Sequence, residues 1–292
     1  MRLHWNLMRR IAIISKPQKE ELVTLLPELI LWLRARGFEA ILDPVSANYA
    51  HEERVVPRDK MPDQNPELVV VLGGDGTLLA AARVFAKTSI PIMSVNLGSL
   101  GFLTEVRLAD IYTTLEGWCD NCCTIESRAM LHSELCRDGK IYAEHEALND
   151  VVLSKGSIAR MVNFTIRLDN QLVASFRADG VIVSTPTGST AYSLAANGPI
   201  VVPDVDALIV SPVCPHLLTL RPLVVRGNAN LALSIEGIPD QMYLTVDGQE
   251  AIPLKVGDEL HCRRSQYGVR LVRLGAAGFF DVLRSKLKWG ER

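Results

Sequence analysis

Apolar residues along this chain fall into short blocks whose period changes midway. In the N-terminal part, IAII at 11–14, EAIL at 39–42, LVVVL at 68–72 and PIMSV at 91–95 read as buried strands. Between the first two, residues 20–36 place Leu22, Leu25, Leu26, Leu29, Ile30 and Leu33 on one helical face, and Gly37 is a stop signal. TLLAAARVFAK at 77–87 has helical spacing as well. Alternation of this kind predicts a parallel sheet covered by helices, with a ligand site at the carboxyl ends of its strands. The polar, proline-bearing stretch at 44–67 has little periodicity and is expected to be a long surface loop or irregular segment.

Beyond about residue 125 the period becomes two. LHSELCR, KIYAEHEALNDVVLS, MVNFTIRL, LVASF, GVIVS, LALSIEG, MYLTVDG and VRLVRL read as strands. Asp138-Gly139, Asp169-Asn170 and Asp247-Gly248 are hairpin-type dipeptides between them. The expected fold is an α/β N-terminal domain with a parallel sheet plus a β-rich, antiparallel, sandwich-like C-terminal domain. The expected boundaries are 1–106 for the first and 107–274 for the second. Residues 275–292 form a tail with helical spacing from Gly278 to Trp289 that returns to the first domain.

Composition narrows the partners. A chain of 292 residues that is 48% hydrophobic can bury two cores. A net charge of -2 gives no long-range attraction to nucleic acid or an anionic membrane, so an anionic ligand must be met by local cations. No apolar stretch reaches the length of a membrane span, and the N-terminal MRLHWNLMRR lacks the apolar run of a signal peptide. Six cysteines suit a reducing cytoplasm rather than a disulfide scaffold. Cys119, Cys122 and Cys123, followed by His132 and Cys136, lack the second matched pair that a zinc site wants, and plain thiols are expected.

Chemistry concentrates at LVVVLGGDGT. A buried strand ends in Gly73, Gly74 and Gly76, which let the backbone turn tightly, and a helix begins just after. Main-chain N–H groups and the positive end of a helix dipole suit a phosphate there. Asp75 would repel that phosphate unless it holds a metal or takes a proton from an attacking hydroxyl, which points to phosphoryl transfer. The alternative is a plain turn with Asp75 as helix cap. NLGSLGFLT at 96–104 follows the next strand, so it is expected either beside the Asp75 turn or as a flexible connection between domains.

A second constellation is RADGVIVSTPTGSTAYSLAANGP at 177–199. Gly188, Ser189 and Thr190 precede a short helical stretch, AYSLAA, whose start would suit a phosphate or ribose, with Tyr192 offering a flat face to a base or lying in the core. Arg160 and Arg177 are candidate anion contacts or solvated strand residues. Asn149-Asp150 interrupts an apolar strand and needs partners, from a bulge or from ligand hydroxyls. Gln249 follows the Asp247-Gly248 turn.

GGDGT at 73–77, NLGSLGFLT at 96–104, Asn149-Asp150 and DGVIVSTPTGSTAYSLAANGP at 179–199 together closely resemble bacterial NAD kinases, over nearly the whole chain from Ile11 to Trp289. GGDG is shared with diacylglycerol kinase-like and phosphofructokinase-type enzymes, whereas PTGSTAYSL is specific. The resemblance implies transfer of the ATP γ-phosphoryl group to the 2′-hydroxyl of the adenosine ribose of NAD, in a homodimer or homotetramer. It implies Asp75 as proton acceptor and Gly76 as its neighbour in the dinucleotide contact. It further implies Asn149 and Asp150 on ribose hydroxyls, and contacts from Arg160, Arg177, Asp179, Thr190, Ala191, Tyr192, Ser193, Leu194, Ala195 and Gln249. Ala80 stands where some members carry a basic residue. The chain has no Walker lysine motif, so a divalent cation, expected to be Mg²⁺, must offset the triphosphate charge. A lipid kinase would show a basic or amphipathic segment for the bilayer, and none is found. A non-catalytic dinucleotide sensor is the other alternative, against which the intact Asp75 argues. A Rossmann dehydrogenase is disfavoured because GxGxxG does not follow the first strand.

Overall fold

The computed structural model describes residues 9–52, 54–98, 101–104, 106–156, 162–236, 241–273 and 278–289. Two compact units emerge, one of residues 1–127 with 269–292, the other of residues 128–268. Residues 107–127 and 269–273, which the expected boundaries put in the second domain, cluster with the first unit.

The first unit opens with β1 (Arg9–Ser15), α1 (Glu21–Ala35), β2 (Phe38–Leu42), α2 (Pro44–Ala50), β3 (Leu68–Gly73), α3 (Asp75–Phe85), β4 (Ile92–Asn96), the two-residue β5 (Val106–Arg107) and α4 (Ile111–Cys119). Its long strands pair in the order β2-β1-β3-β4, all parallel. The order reverses direction between β1 and β3, which is where open parallel sheets bind ligands. Every residue of β3 is buried, as a strand covered on both faces must be. Leu22, Leu26, Leu29, Ile30 and Leu33 of α1 pack into this core. Gly37, at φ +80, donates to the Arg34 carbonyl at 3.1 Å and closes the helix in the left-handed conformation that glycine tolerates.

The stretch at 44–67 is less irregular than its composition suggests. Asp43 caps α2 by accepting the Ser46 N–H at 2.8 Å, two 3₁₀ turns follow, and Met61 is wholly buried. A seven-residue helix offers too few turns to show a period, so the pattern missed it.

The second unit contains β6 (Thr124–Arg137), which begins in the first unit, β7 (Lys140–Ala147), β8 (Asp150–Lys155), β9 (Val162–Leu168), β10 (Gln171–Ala178), β11 (Gly180–Ser184), the four-residue α5 (Tyr192–Ala195), β12 (Ala207–Val213), β13 (Leu223–Arg226), β14 (Leu231–Glu236), β15 (Met242–Val246), β16 (Glu250–Pro253) and β17 (Glu259–Arg273). The last residues of β17 pair parallel to β4 in the first unit, which also holds α6 (Phe279–Leu287). One antiparallel sheet of the second unit runs β13-β12-β11-β8-β15-β16, and β10-β9-β14-β17 run antiparallel in another. Apolar side chains of both sheets form one core. The expected fold class is thus observed. The three hairpin dipeptides turn as their chemistry requires, with positive φ at Asp138, Gly139, Asp169, Asn170, Asp247 and Gly248. KIYAEHEALNDVVLS is two strands, β7 and β8, that break at Leu148 and Asn149 rather than one.

Asp258, just before β17, is buried and holds Arg137 through two hydrogen bonds of 2.8 Å, and also accepts the Lys255 N–H at 2.8 Å. Burial pushes the Asp258 carboxyl up, but hydrogen bonds and charge from Arg137, with the Lys255 N–H, outweigh it and bring it below its ordinary value. Breaking one side of such a pair leaves the other charge uncompensated. Asp258→Ala should therefore cost about 3–5 kcal/mol in urea unfolding, and Asp258→Leu combined with Arg137→Met markedly less.

Candidate active site

β3 ends at Gly73 and α3 begins with Asp75, so the strand leads almost directly into a helix N-terminus at the carboxyl end of the sheet. Gly74 occupies the cap position, and the Asp75 side chain does not cap the helix. It turns instead to the segment after β4. One carboxylate oxygen accepts the Phe102 N–H at 3.0 Å; the other accepts the Leu103 N–H at 3.2 Å and both the N–H and the hydroxyl of Thr104 at 3.0 Å. An ionised carboxylate is an acceptor only, with about two lone-pair sites on each oxygen; three donors crowd one oxygen, and the Phe102 N–H leaves the other an acceptor site among the described residues.

The loop that supplies the donors is itself anchored. Ser94 donates to the Leu103 carbonyl at 3.0 Å, Asn96 donates to the Thr104 hydroxyl at 3.0 Å, and the Gly98 N–H donates to the Asn96 side chain at 2.7 Å. A Cβ at Gly101 would collide with the Asp75 carboxylate and the Thr104 hydroxyl, so only glycine admits this approach. The described residues of NLGSLGFLT therefore lie beside the Asp75 turn rather than serving as a free connection. Gly76 is exposed next to the carboxylate.

In the second unit, Asn149 and Asp150 sit where β7 gives way to β8. The carboxylate of Asp247 accepts the N–H groups of Leu148 at 3.1 Å, Asn149 at 2.8 Å and Asp150 at 3.2 Å. Thr185 binds the other side of the break, its N–H donating to the Asn149 carbonyl at 2.9 Å and its hydroxyl to the Leu148 carbonyl at 2.6 Å. The Gly188 N–H then donates to the Thr185 hydroxyl at 3.0 Å, and a Cβ at Gly188 would strike the Asn149 backbone. The sequence marked Asp247 only as a hairpin residue and Thr185 only as part of the 177–199 stretch, without this bracing role. Burial first, and the nearby Asp247 charge second, push the Asp150 carboxyl up to about 7 against the lowering pull of the Tyr192 N–H.

The turn at 187–190 is a 3₁₀ segment leading into α5, and its hydroxyls are engaged inside the unit. Ser189 donates to the Pro186 carbonyl at 2.6 Å and accepts the Val201 N–H at 3.0 Å; Thr190 donates to the Thr187 carbonyl at 3.3 Å; Ser193 shares a hydrogen bond of 2.9 Å with Ser211. These side chains thus brace the turn itself. Thr190, Ala191 and Leu194 are half-buried, Ala195 is exposed, and Tyr192 is 46% exposed rather than in the core. Arg177 is exposed and donates to Asn163 at 3.1 Å, whereas Asp179 pairs with Lys155 at 2.7 Å. Gln249 is exposed on its turn, and Arg160 lies outside the described residues.

The pattern described as the ATP-NAD kinase N-terminal domain matches residues 11–121, and that described as the ATP-NAD kinase C-terminal domain matches residues 148–274. An NAD kinase of Acidobacterium capsulatum is 72% identical over 285 residues, 98% of this chain and 100% of that protein. The chain belongs to the NAD kinase family. An NAD kinase of Koribacter versatilis is 50% identical over the same shares. Among solved structures, a yeast NADH kinase complexed with NADH is similar with a TM-score of 0.85 at 26% identity, over 99% of this chain and 89% of that one. An NAD kinase from Archaeoglobus fulgidus in complex with ATP reaches a TM-score of 0.76 at 22% identity, over 96% and 98%, and speaks for the fold alone.

Other groupings in this NAD kinase family member involve different residues. Among the described residues, the ligand atoms of His132, Glu134 and Glu144 lie within 4.8 Å of one another, without a cysteine. Both ring nitrogens of His132 are already in hydrogen bonds of 2.9 Å, to Glu146 and Glu134, and Glu134 also meets Arg263 at 3.0 Å. All six cysteines are free thiols.

The raised Asp150 value fixes a pH dependence. The folded protein keeps a proton that the unfolded chain releases above its ordinary value of 3.8, so this carboxyl's contribution to stability falls as pH rises towards about 7. Asp150→Asn should flatten that fall, which approaches 1.4 kcal/mol per pH unit, and should leave the protein more stable than wild type near neutrality in urea titrations at a series of pH values.

Proposed function

We propose that this chain is an NAD kinase that transfers the γ-phosphoryl group of ATP to the 2′-hydroxyl of the adenosine ribose of NAD, giving NADP and ADP. The observation that carries the reading is the Asp75 carboxylate, held at the end of β3 by four donors in a glycine-lined turn. Family membership and the 72% identical relative named NAD kinase support it.

In this reading the 2′-oxygen attacks the γ-phosphorus, the bond from that phosphorus to the β,γ-bridging oxygen breaks, ADP leaves, and the hydroxyl proton passes to Asp75. A loose transition state asks more of positioning than of base strength. The Asp75 anchorage answers that demand, because a carboxylate fixed from the 102–104 segment cannot swing away from its post. Asn149, Asp150, Arg177, Asp179, Tyr192 and Gln249 of the second unit are assigned to the dinucleotide.

A divalent cation, expected to be Mg²⁺, enters as the partner of ATP. The donors around Asp75 are N–H and O–H groups, which repel a cation, and the carboxylate itself is engaged, so this setting suits a metal held mainly by phosphates and water. Bound there, it would offset the triphosphate charge. A homodimer or homotetramer is the expected assembly, supported by exposed apolar residues on and before the edge strand β13, among them Leu218, Leu223 and Val224. A reducing cytoplasm suits the six free thiols.

Incubating purified protein with NAD, ATP and Mg²⁺ should yield NADP and ADP in equal amounts, with the native mass read on the same sample. A lipid kinase or a non-catalytic sensor would give no NADP. Asp75→Asn should lose about 10²- to 10⁴-fold in kcat while NAD binding persists, and near-normal turnover would rule it out as the base. Chelation with EDTA should stop turnover with ATP and added Mg²⁺ should restore it; full activity after chelation would exclude the cation's role.

A further inference from the structure

Asp247 belongs to a hairpin turn, at φ +49, yet it is 93% removed from solvent, since only 7% of its surface is exposed. A turn aspartate normally serves its own turn. Here its carboxylate reaches residues almost a hundred positions earlier and takes three consecutive N–H groups, while its own N–H donates to the Asp150 carbonyl at 2.9 Å. Asp150 and Asp247 are thus locked in both directions. Those three N–H groups lie where β7 has ended and β8 has barely begun, so without Asp247 they would face the interior unpaired.

We propose that Asp247 is a positioning residue for ribose recognition, holding Asn149 and Asp150 in the backbone arrangement from which they meet the sugar hydroxyls. This rests on the NAD kinase reading and on the assignment of that pair to the ribose. Thr185 is the opposing clamp, since it binds the carbonyls of Leu148 and Asn149 while Asp247 binds the N–H groups. The break between β7 and β8 is therefore held on both its donor and its acceptor sides.

The arrangement has an electrical consequence that a purely mechanical anchor would lack. Negative charge on Asp247, whose carboxylate meets three N–H donors, opposes ionisation of Asp150 beside it. The groups facing Asp150 are Asp247 at the end of β15, the non-ionisable Ser184 opposite it on β11, and the main-chain N–H of Tyr192 from α5. Removing the Asp247 charge while keeping its shape makes Asp150 easier to ionise.

The test is Asp247→Asn in the full-length protein, measured beside wild type for KM of NAD, KM of ATP, kcat and melting temperature across pH. An amide leaves at least one of the three N–H groups facing an NH₂, so KM for NAD should rise about 10- to 100-fold, with KM for ATP unchanged. The break in the pH profile of the NAD dependence should move about one unit lower, and this displacement should vanish in an Asp150→Asn background. Unchanged KM for NAD with an unmoved break overturns the proposal, and so do parallel losses for both substrates. If Asp247→Asn does not fold, wild-type protein is titrated with NAD and followed by the amide resonances of Leu148, Asn149 and Asp150. Shifts at all three support the proposal and their absence overturns it. A wild type that binds NAD but forms no NADP overturns the kinase reading instead, and the NAD affinities of the two proteins by calorimetry then decide the role of Asp247.

Discussion

Both compact units depend on one interaction, an aspartate that gathers a run of three main-chain N–H groups. Asp75 takes those of Phe102, Leu103 and Thr104; Asp247 takes those of Leu148, Asn149 and Asp150. The need arises from the architecture. Segments that leave a sheet at its end lose their ladder partners, and a buried N–H without a partner is costly. Hydrogen bonds to a charged group contribute about 1.5–3 kcal/mol each, roughly twice a neutral one, so a single carboxylate can fix a whole bend. In the first unit the fixed group is the carboxylate proposed to take the proton. In the second, the fixed group is the backbone that carries two other polar side chains.

The same device separates the roles of neighbouring acids. Asp247 has its charge compensated by N–H dipoles, whereas Asp150 has a single main-chain donor and a like charge beside it. Burial and that neighbouring charge set the protonation preference of Asp150, which is how a fold distributes acid and base behaviour.

The sequence was informative where structure is local or buried on both faces. The wholly buried β3 and the apolar face of α1 announced a parallel α/β unit, and three aspartate-led dipeptides announced hairpins whose φ values are indeed positive. GGDG singled out Asp75 because a lone carboxylate among glycines has no packing reason to be there. β12 escaped because Pro212 interrupts its reading, yet it pairs with β11 through Pro212 to Val213. Asp247 and Thr185 escaped because a hairpin aspartate and a threonine after a strand already have ordinary explanations. Their partners lie 97 to 99 and 36 to 37 residues away, and no short pattern encodes such a distance.

The first unit is written in two pieces, with the second unit spliced between Ser127 and Val269. On a ribosome the chain emerges from its N-terminus, so β1 to β4 are available long before the piece that adds Leu271 beside Ile92. Until then β4 has part of one edge uncovered, and an uncovered edge is a template for wrong partners. The inserted unit, by contrast, is complete in the nascent chain before its host. Synthesis order therefore makes the half that bears Asp75 the last to close.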